Sequence, residues 1–148
     1  MGLDNIPAQY PCKKENTAVL DDEGRIDCEA TRECGGCPWY DDLGNEPGSV
    51  LGMFGTHCWY RGKHGNHLMS ELRVGESYFG NFYGDELLDD MPLKSEMSCL
   101  ASASLMEESL TELKQNVEVD ENFENDVTYA IKWLRWVAEK CGGAIAWS

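Results

Sequence analysis

The sequence predicts an α+β fold, in which a Gly- and Cys-rich N-terminal half of short antiparallel strands packs on a C-terminal antiparallel helical hairpin. Thirteen of the fifteen glycines, five of the seven cysteines and all three histidines precede residue 93. After that point apolar residues recur every three or four positions, which is the period of an amphipathic helix. We therefore expect one domain over residues 1–148, with a strand-rich half at 1–92, a hairpin at 93–141 and a short tail at 142–148.

Short apolar segments between turn residues predict the strands of the N-terminal half. Residues 17–20 and 25–27 flank the turn Asp21-Asp-Glu-Gly24, where glycine can supply a positive φ, so we expect a hairpin centred on residues 22 and 23. The same reasoning predicts three further strands, at 50–54, 58–61 and 78–83.

Two apolar stripes predict the helical hairpin. Asp120 is a suitable N-cap for the second helix, and Gly142-Gly143 is a suitable stop. Because the loop between the helices is short, they should lie antiparallel. The inner stripe predicted for the first helix is Leu93, Met97, Leu100, Ala103, Met106, Leu110, Leu113 and Val117.

The second helix carries an additional aromatic stripe, formed by Tyr129, Trp133 and Trp136. These rings can cover the strands of the N-terminal half, which is the simpler interpretation. Alternatively they form an exposed surface for a partner or for a homo-oligomer, because Trp and Tyr concentrate binding energy when they are desolvated.

The charge of the chain restricts its function. The 148 residues include 12 Lys and Arg against 27 Asp and Glu, a net charge of −15. This excess disfavours direct nucleic-acid binding, which draws its affinity from basic side chains. No apolar run approaches the roughly 20 residues that cross a bilayer, so we expect a cytoplasmic protein without a membrane partner. An acidic surface suits three kinds of protein: a halophilic or merely soluble protein, a protein whose partner has a basic face, or a DNA mimic.

The cysteines predict a metal site. Their number, seven, is odd and no export-type segment precedes them, which favours reduced thiols. Cys34-Gly-Gly-Cys37 lets two sulfurs converge on one ion, and the predicted strand pairing brings Cys12 close to this turn. We expect a structural zinc ion, because a Gly-rich half with few large aliphatic residues gains folding energy from metal. The candidate ligands are Cys12, Cys34, Cys37, Cys58 and His64.

Other interpretations of the same cysteines remain open. Cys28 is a spare candidate ligand, and the thiols could instead be buried side chains or disulfide partners. Redox catalysis by the Cys34–Cys37 pair is disfavoured, because the residues after Pro38 predict a turn rather than the helix that would stabilise a thiolate.

Residues 47–70 contain no Asp or Glu, although the chain is acidic. Glycines beside cations and aromatic rings suit a small anion or nucleotide, since backbone N–H groups approach a phosphate and a ring stacks on a base. The alternative is a turn-rich segment whose strands are buried. The candidate ligand-binding residues are Trp59, Tyr60, Arg61, Lys63 and His67.

Three segments resemble a family of small uncharacterised proteins encoded by tailed phages. They are residues 1–7 (MGLDNIP), the Cys34-Gly-Gly-Cys-Pro38 turn, and residues 52–66 (GMFGTHCWYRGKHGN). The resemblance covers about the first 70 residues and carries no activity. It implies expression in a bacterial host cytoplasm, reduced thiols and an accessory role.

Together these observations predict an intracellular accessory binding protein, zinc-stabilised, that recognises a host protein or a small anionic ligand. Two alternatives stay open. One is a metal- or thiol-dependent enzyme that uses the Cys and His cluster, and the other is an acidic DNA mimic.

Overall fold

The computed structural model describes residues 4–49, 58–61, 64, 67, 68, 71, 72, 93, 94 and 96–147. In chain order the elements are β1 (Asp4–Pro7), α1 (Pro11–Lys14), α2 (Cys28–Glu33), α3 (Pro38–Leu43), β2 (Tyr60–Arg61), β3 (Leu93–Lys94), α4 (Glu96–Asn116), α5 (Glu121–Lys140) and β4 (Ala144–Trp147). Helices and an antiparallel sheet pack together, so the predicted α+β class is confirmed.

The helical hairpin forms as predicted. Asp120 caps α5, and its carboxylate accepts the backbone N–H groups of Asn122 and Phe123 at 3.1 and 3.3 Å. At the other end Gly142 and Gly143 have φ of 70° and 107°. The Gly143 N–H then donates to the Val137 carbonyl, which ends the helix.

The inner stripe of α4 differs from the expected one. Ala103, Met106 and Leu110 are buried as predicted, whereas Met97 is 81% exposed and Val117 is 53% exposed. Cys99, which is not part of the predicted stripe, is fully buried. Leu93 precedes the helix and belongs to β3. The predicted stripe was therefore correct in its middle and wrong at its ends.

Among the residues that the structure describes, the sheet has four antiparallel strands in the order β2-β1-β4-β3. Its central pair joins β1 to β4, with Asp4 opposite Trp147 and Pro7 opposite Ala144. Residues 144–147, expected to lie in a tail, are thus a central strand. Four residues cannot show a periodic pattern, and this strand is defined by its distant partner rather than by its own sequence.

The N-terminal half contains short helices in addition to strands. The predicted hairpin is reduced to one antiparallel bridge between Leu20 and Ile26, one residue out of the expected register. The turn is longer because the Asp21 carboxylate accepts the N–H groups of both Glu23 and Arg25 at 2.9 Å. The strands predicted at 50–54 and 78–83 lie outside the described residues.

The core lies between α5 and the segments that precede it. Tyr60, Tyr129 and Trp133 form an aromatic centre, with the Tyr60 ring centroid 5.9 Å from that of Tyr129 and 5.4 Å from that of Trp133. Trp39 and Leu43 of α3 are buried against the same centre. The N-terminal half therefore packs on the hairpin, as the sequence predicts.

Candidate metal centre

Four cysteines line one small cavity between the N-terminal segments and α5. The cavity has a volume of about 30 Å³, and its walls include Pro11, Trp39 and Trp136. The thiols come from four separate segments of the chain, and they are Cys12, Cys28, Cys37 and Cys58.

Local structure explains how two of these thiols are positioned. Pro11 occupies the first turn of α1, where a missing N–H costs nothing, and Cys12 follows it as a buried residue. Cys28 is the first residue of α2, which Asp27 caps by accepting the Ala30 N–H at 3.0 Å.

The other two thiols lie close to α3 and β2. Cys37 is the N-cap residue of α3, which begins at Pro38. Cys58 lies two residues before β2, and its carbonyl accepts the indole N–H of Trp133 at 3.0 Å. This bond joins the fourth thiol segment to the middle of α5.

The environment of the cavity keeps three of its thiols protonated, those of Cys12, Cys37 and Cys58. Burial raises the pKa of Cys58 well above its ordinary value, and the neighbouring Cys28 thiol raises it further. Burial also raises the pKa of Cys12 and of Cys37. Since the thiolate is the nucleophile, this environment gives no activated cysteine. A cation inside the cavity would favour the deprotonated form.

The thiols surround the cavity without meeting at one point. Within the ranges that the structure describes, no three Cys, His, Asp or Glu side chains form a group able to hold a metal ion as they stand. All seven cysteines are in the described part of the chain, and each is a thiol rather than half of a disulfide. Metal binding would require these side chains to move toward one another.

The predicted ligand set is partly brought together. Cys12, Cys37 and Cys58 line the cavity, whereas Cys34 is exposed at the end of α2. The intervening Gly35 has φ of 74°, which turns the chain so that the two cysteines of the pair occupy different environments. The prediction that Cys34 and Cys37 bind jointly is therefore not supported by this geometry.

His64 lies away from the cysteine cavity. Its Nε2 is 3.8 Å from a carboxylate oxygen of Asp126 on α5. Burial lowers the His64 pKa, the Asp126 carboxylate raises it, and His67 and Arg61 lower it again. We therefore replace His64 as a candidate ligand by Cys28.

Sequence reasoning had ranked Cys28 only as a spare ligand. A signal for its position was present, because Asp27 followed by a helix-forming segment is typical of a helix N-terminus. That pattern places Cys28 at a defined first helical position, although it does not show that Cys28 meets Cys12.

The turn after Cys37 also differs from the prediction. Residues 38–43 form α3, where a non-helical turn was expected. Proline fixes φ near the helical value and suits the first turn, which explains the helix start. The argument against a redox pair therefore no longer rests on a missing helix, but on the burial that raises the Cys37 pKa.

The predicted anion-binding residues do not share one surface. Tyr60 is completely buried among Tyr129 and Trp133, so it cannot stack on a ligand. Arg61, the next residue along β2, is exposed because neighbouring strand residues point to opposite faces. His67 is also exposed, and Lys63 lies outside the described residues. Tyr60 is therefore corrected from a ligand-binding residue to a core residue.

Trp59 has a different environment from Tyr60. Its indole N–H donates to the Tyr10 hydroxyl at 3.0 Å, and both rings are half-buried. This contact places Trp59 beside α1 rather than beside the basic residues that follow it in sequence.

The aromatic stripe of α5 is covered by the N-terminal half. Tyr129, Trp133 and Trp136 are each no more than 5% exposed. The Tyr129 hydroxyl accepts the Trp39 indole N–H at 3.0 Å, and the Trp136 indole N–H donates to Asp42 at 2.9 Å. The hypothesis of an exposed aromatic surface is therefore corrected, because these rings are core residues with internal hydrogen bonds.

The buried Cys141 thiol should lower the free energy of unfolding measurably at alkaline pH. Burial raises its pKa from 9.0 to about 12. Between these values the unfolded chain loses a proton that the folded chain retains, so the free energy of unfolding should fall by about 1.4 kcal/mol per pH unit from this group. Denaturant titrations from pH 8 to about 11 should show a steeper decline for the native sequence than for Cys141→Ala. Equal slopes would contradict the prediction.

None of the helices in the described ranges combines the length and the apolar character needed to cross a membrane. Comparison with protein-family models, with curated proteins and with solved structures gives no match to this chain.

Proposed function

We propose that this chain is a zinc-stabilised accessory binding protein in which Cys12, Cys28, Cys37 and Cys58 hold one zinc ion. The observation that carries this proposal is that four cysteines, from four separate segments, line the same cavity of about 30 Å³. The chain has only seven cysteines, and four of them line this one small space. Chance placement does not readily explain such a concentration.

The ligand chemistry favours zinc. Four sulfur donors around one centre are typical of zinc or iron–sulfur sites. The cavity has room for a single ion, which favours zinc over a cluster. Tetrahedral Zn–S bonds are about 2.3 Å long, so the ion would draw the sulfurs to within about 4 Å of one another. It would also release their protons, which the apolar walls otherwise retain.

A structural role suits this donor set better than a catalytic one. Four protein ligands close the coordination sphere, whereas catalytic zinc keeps a position open. The ion would tie α1, α2, α3 and the segment before β2 to one another, where regular backbone pairing is sparse. The metal- or thiol-dependent enzyme is less well supported, because burial raises the pKa of the thiols rather than activating them.

The charged surface supports a partner with a basic face, such as a host protein. Several of the 12 basic side chains pair with the chain's own carboxylates: Lys132 with Glu46 at 2.8 Å, Arg135 with Glu107 at 3.0 Å and Lys140 with Asp42 at 3.0 Å. Lys114 also pairs with Glu124. The acidic excess is thus left for the surface. We place this partner in the bacterial host cytoplasm that the phage resemblance implies.

Metal analysis of the protein purified under reducing conditions tests the zinc centre. We expect one zinc per chain, a lower melting temperature after chelation, and recovery when zinc is returned. Cobalt substitution should give thiolate-to-metal charge-transfer bands with the intensity of four sulfurs. Alkylation followed by peptide mapping should show the four cavity cysteines protected by metal and Cys34 reactive.

Two matched variants make this test specific. Cys58→Ser should lose stoichiometric zinc, whereas Cys34→Ser should bind it as the native sequence does, because Cys34 is exposed outside the cavity. Absence of stoichiometric metal from the reduced protein, after zinc is supplied, would overturn the proposed function. Equal loss of zinc in Cys34→Ser would overturn the ligand assignment.

A further inference from the structure

A larger cleft lies against the cysteine cavity. It has a volume of about 470 Å³, which is within the range of small-molecule sites, and it opens to solvent. Its lining includes Tyr10, Lys13, Arg25, Ile26, Cys28 and Trp59.

Two basic side chains line this cleft, in a chain whose net charge is acidic. Lys13 and Arg25 line it and no carboxylate does so among the described residues, although the net charge of the chain is −15. The Arg25 guanidinium is ion-paired with the carboxylates of Asp21 and Glu23, which do not line the cleft, so an anionic ligand competes with them for Arg25. Lys13 makes no ion pair with any acidic residue in the described ranges, and its ammonium lies 5.9 Å from the centre of the Tyr10 ring.

The walls of the cleft are aromatic and apolar. Tyr10 and Trp59 provide two rings, and Ile26 provides an aliphatic surface. The Tyr10 hydroxyl accepts the indole N–H of Trp59, which leaves its own O–H as a donor. A planar ring can stack on such a wall, while the two cations and the phenol bind an anionic group at its edge.

The cleft and the cysteine cavity share a wall. Tyr10, Ile26 and Cys28 line both spaces. A metal ion bound to Cys28 would fix the start of α2 and, with it, the position of this wall. Ligand binding in the cleft should therefore depend on the state of the metal centre.

We propose that this cleft binds a small ligand made of a planar base and a phosphate monoester, that is, a nucleotide. The inference rests on the proposed function, because it assigns the ligand class of the zinc-stabilised binding protein. It places the anion site at Lys13 and Arg25 instead of at Arg61 and Lys63. Phosphate contacts Lys13 and Arg25, the base stacks on the Tyr10 and Trp59 rings, and the metal centre holds the wall in place.

Calorimetric titration of the zinc-loaded protein tests the inference with three probes. Adenosine monophosphate carries both chemical parts, inorganic phosphate carries only the anion, and adenosine carries only the ring. We expect the monophosphate to bind at least about tenfold more tightly than either part, because each supplies only some of the contacts. Binding of inorganic phosphate as tight as that of the monophosphate would overturn the assignment of a base-stacking wall.

Two double variants that remove the same charge locate the site. Lys13→Ala with Arg25→Ala should weaken binding of adenosine monophosphate by about tenfold or more, since it removes both cations that the phosphate would contact. Lys14→Ala with Arg61→Ala should leave it unchanged, because both residues are exposed and neither lines the cleft. Glu23→Gln should tighten binding, since Glu23 competes for Arg25. Loss of binding in the second double variant would place the site at Lys14 or Arg61 and overturn the proposal.

The results separate this inference from the zinc proposal. Stoichiometric zinc without binding of the monophosphate overturns the cleft assignment and leaves the metal centre intact. Binding through Lys13 and Arg25 in a protein that takes up no zinc overturns the metal centre and supports the cleft. If the purified protein contains zinc and its removal by a chelator leaves nucleotide binding unchanged, the coupling between the metal centre and the cleft is overturned.

Discussion

Trp133→Ala is expected to lower the free energy of unfolding by about 3–5 kcal/mol, the range for removing a large buried aromatic ring. Trp133 has no exposed surface, and its ring centroid is 5.4 Å from that of Tyr60. The substitution also leaves the Cys58 carbonyl without its indole donor. A loss of this size is a large fraction of the stability of an ordinary domain.

Chemical denaturation of three variants separates the contributions to this effect. Trp133→Phe keeps a ring but loses the indole N–H, so it should cost about 1–3 kcal/mol. Leu105→Ala, at a residue that is 43% exposed, should change stability by less than about 1 kcal/mol. If Trp133→Ala were as mild as Leu105→Ala, the aromatic centre described here would be wrong. The zinc centre proposed above should also be weakened in Trp133→Phe, because Cys58 is no longer held from α5.

Gly36→Ala is expected to be the most damaging single change in the Cys34-Gly-Gly-Cys37 turn. A methyl group at residue 36 would lie 2.5 Å from the carbonyl oxygen of Thr17 and 2.9 Å from its Cβ. The Thr17 hydroxyl donates to the Gly36 carbonyl at 3.0 Å, so the two segments cannot separate without losing this bond. Since backbone must move, we expect a loss of about 2–3 kcal/mol or more.

The adjacent glycine is the control for this prediction. Gly35 has φ of 74°, but a Cβ there would meet nothing within 4 Å. Gly35→Ala should therefore cost only the backbone strain, about 1–2 kcal/mol. Thermal or urea unfolding of both variants measures the difference. A milder effect at residue 36 than at residue 35 would show that Thr17 does not pack on this turn as described.

The helical hairpin could be predicted from the sequence because its signals are local. Asp120 and the glycine pair define the ends of α5, and its apolar stripe repeats over five turns. The ends of the α4 stripe were wrong because Met97 and Val117 match the period but have no neighbour to cover them within the described residues. Periodicity shows which residues share a face, and only tertiary packing decides how much of that face is buried.

The sheet and the cysteine cavity could not be predicted in the same way. β4 pairs with β1 from the far end of the chain, and its four residues carry no alternating pattern. Cys12 and Cys37 were predicted to share a site, yet the expected hairpin ladder does not bring them together. Short helices that start at Pro11 and Pro38 do so instead. Cys28 is positioned by the capping of α2, which begins at this residue. Its place beside the other cavity cysteines depends on tertiary contacts, which a linear sequence pattern does not contain.

The antiparallel pairing of β1 with β4 also affects how the protein folds. These strands span residues 4–7 and 144–147, so the centre of the sheet depends on contacts between residues that are far apart in sequence. Such non-local pairing slows folding, because the entropy of closing a long loop is lost before the strands gain hydrogen bonds. The two long helices can pair early, through contacts that are close in sequence. During synthesis on the ribosome β1 therefore cannot pair with β4 until residues 144–147 emerge.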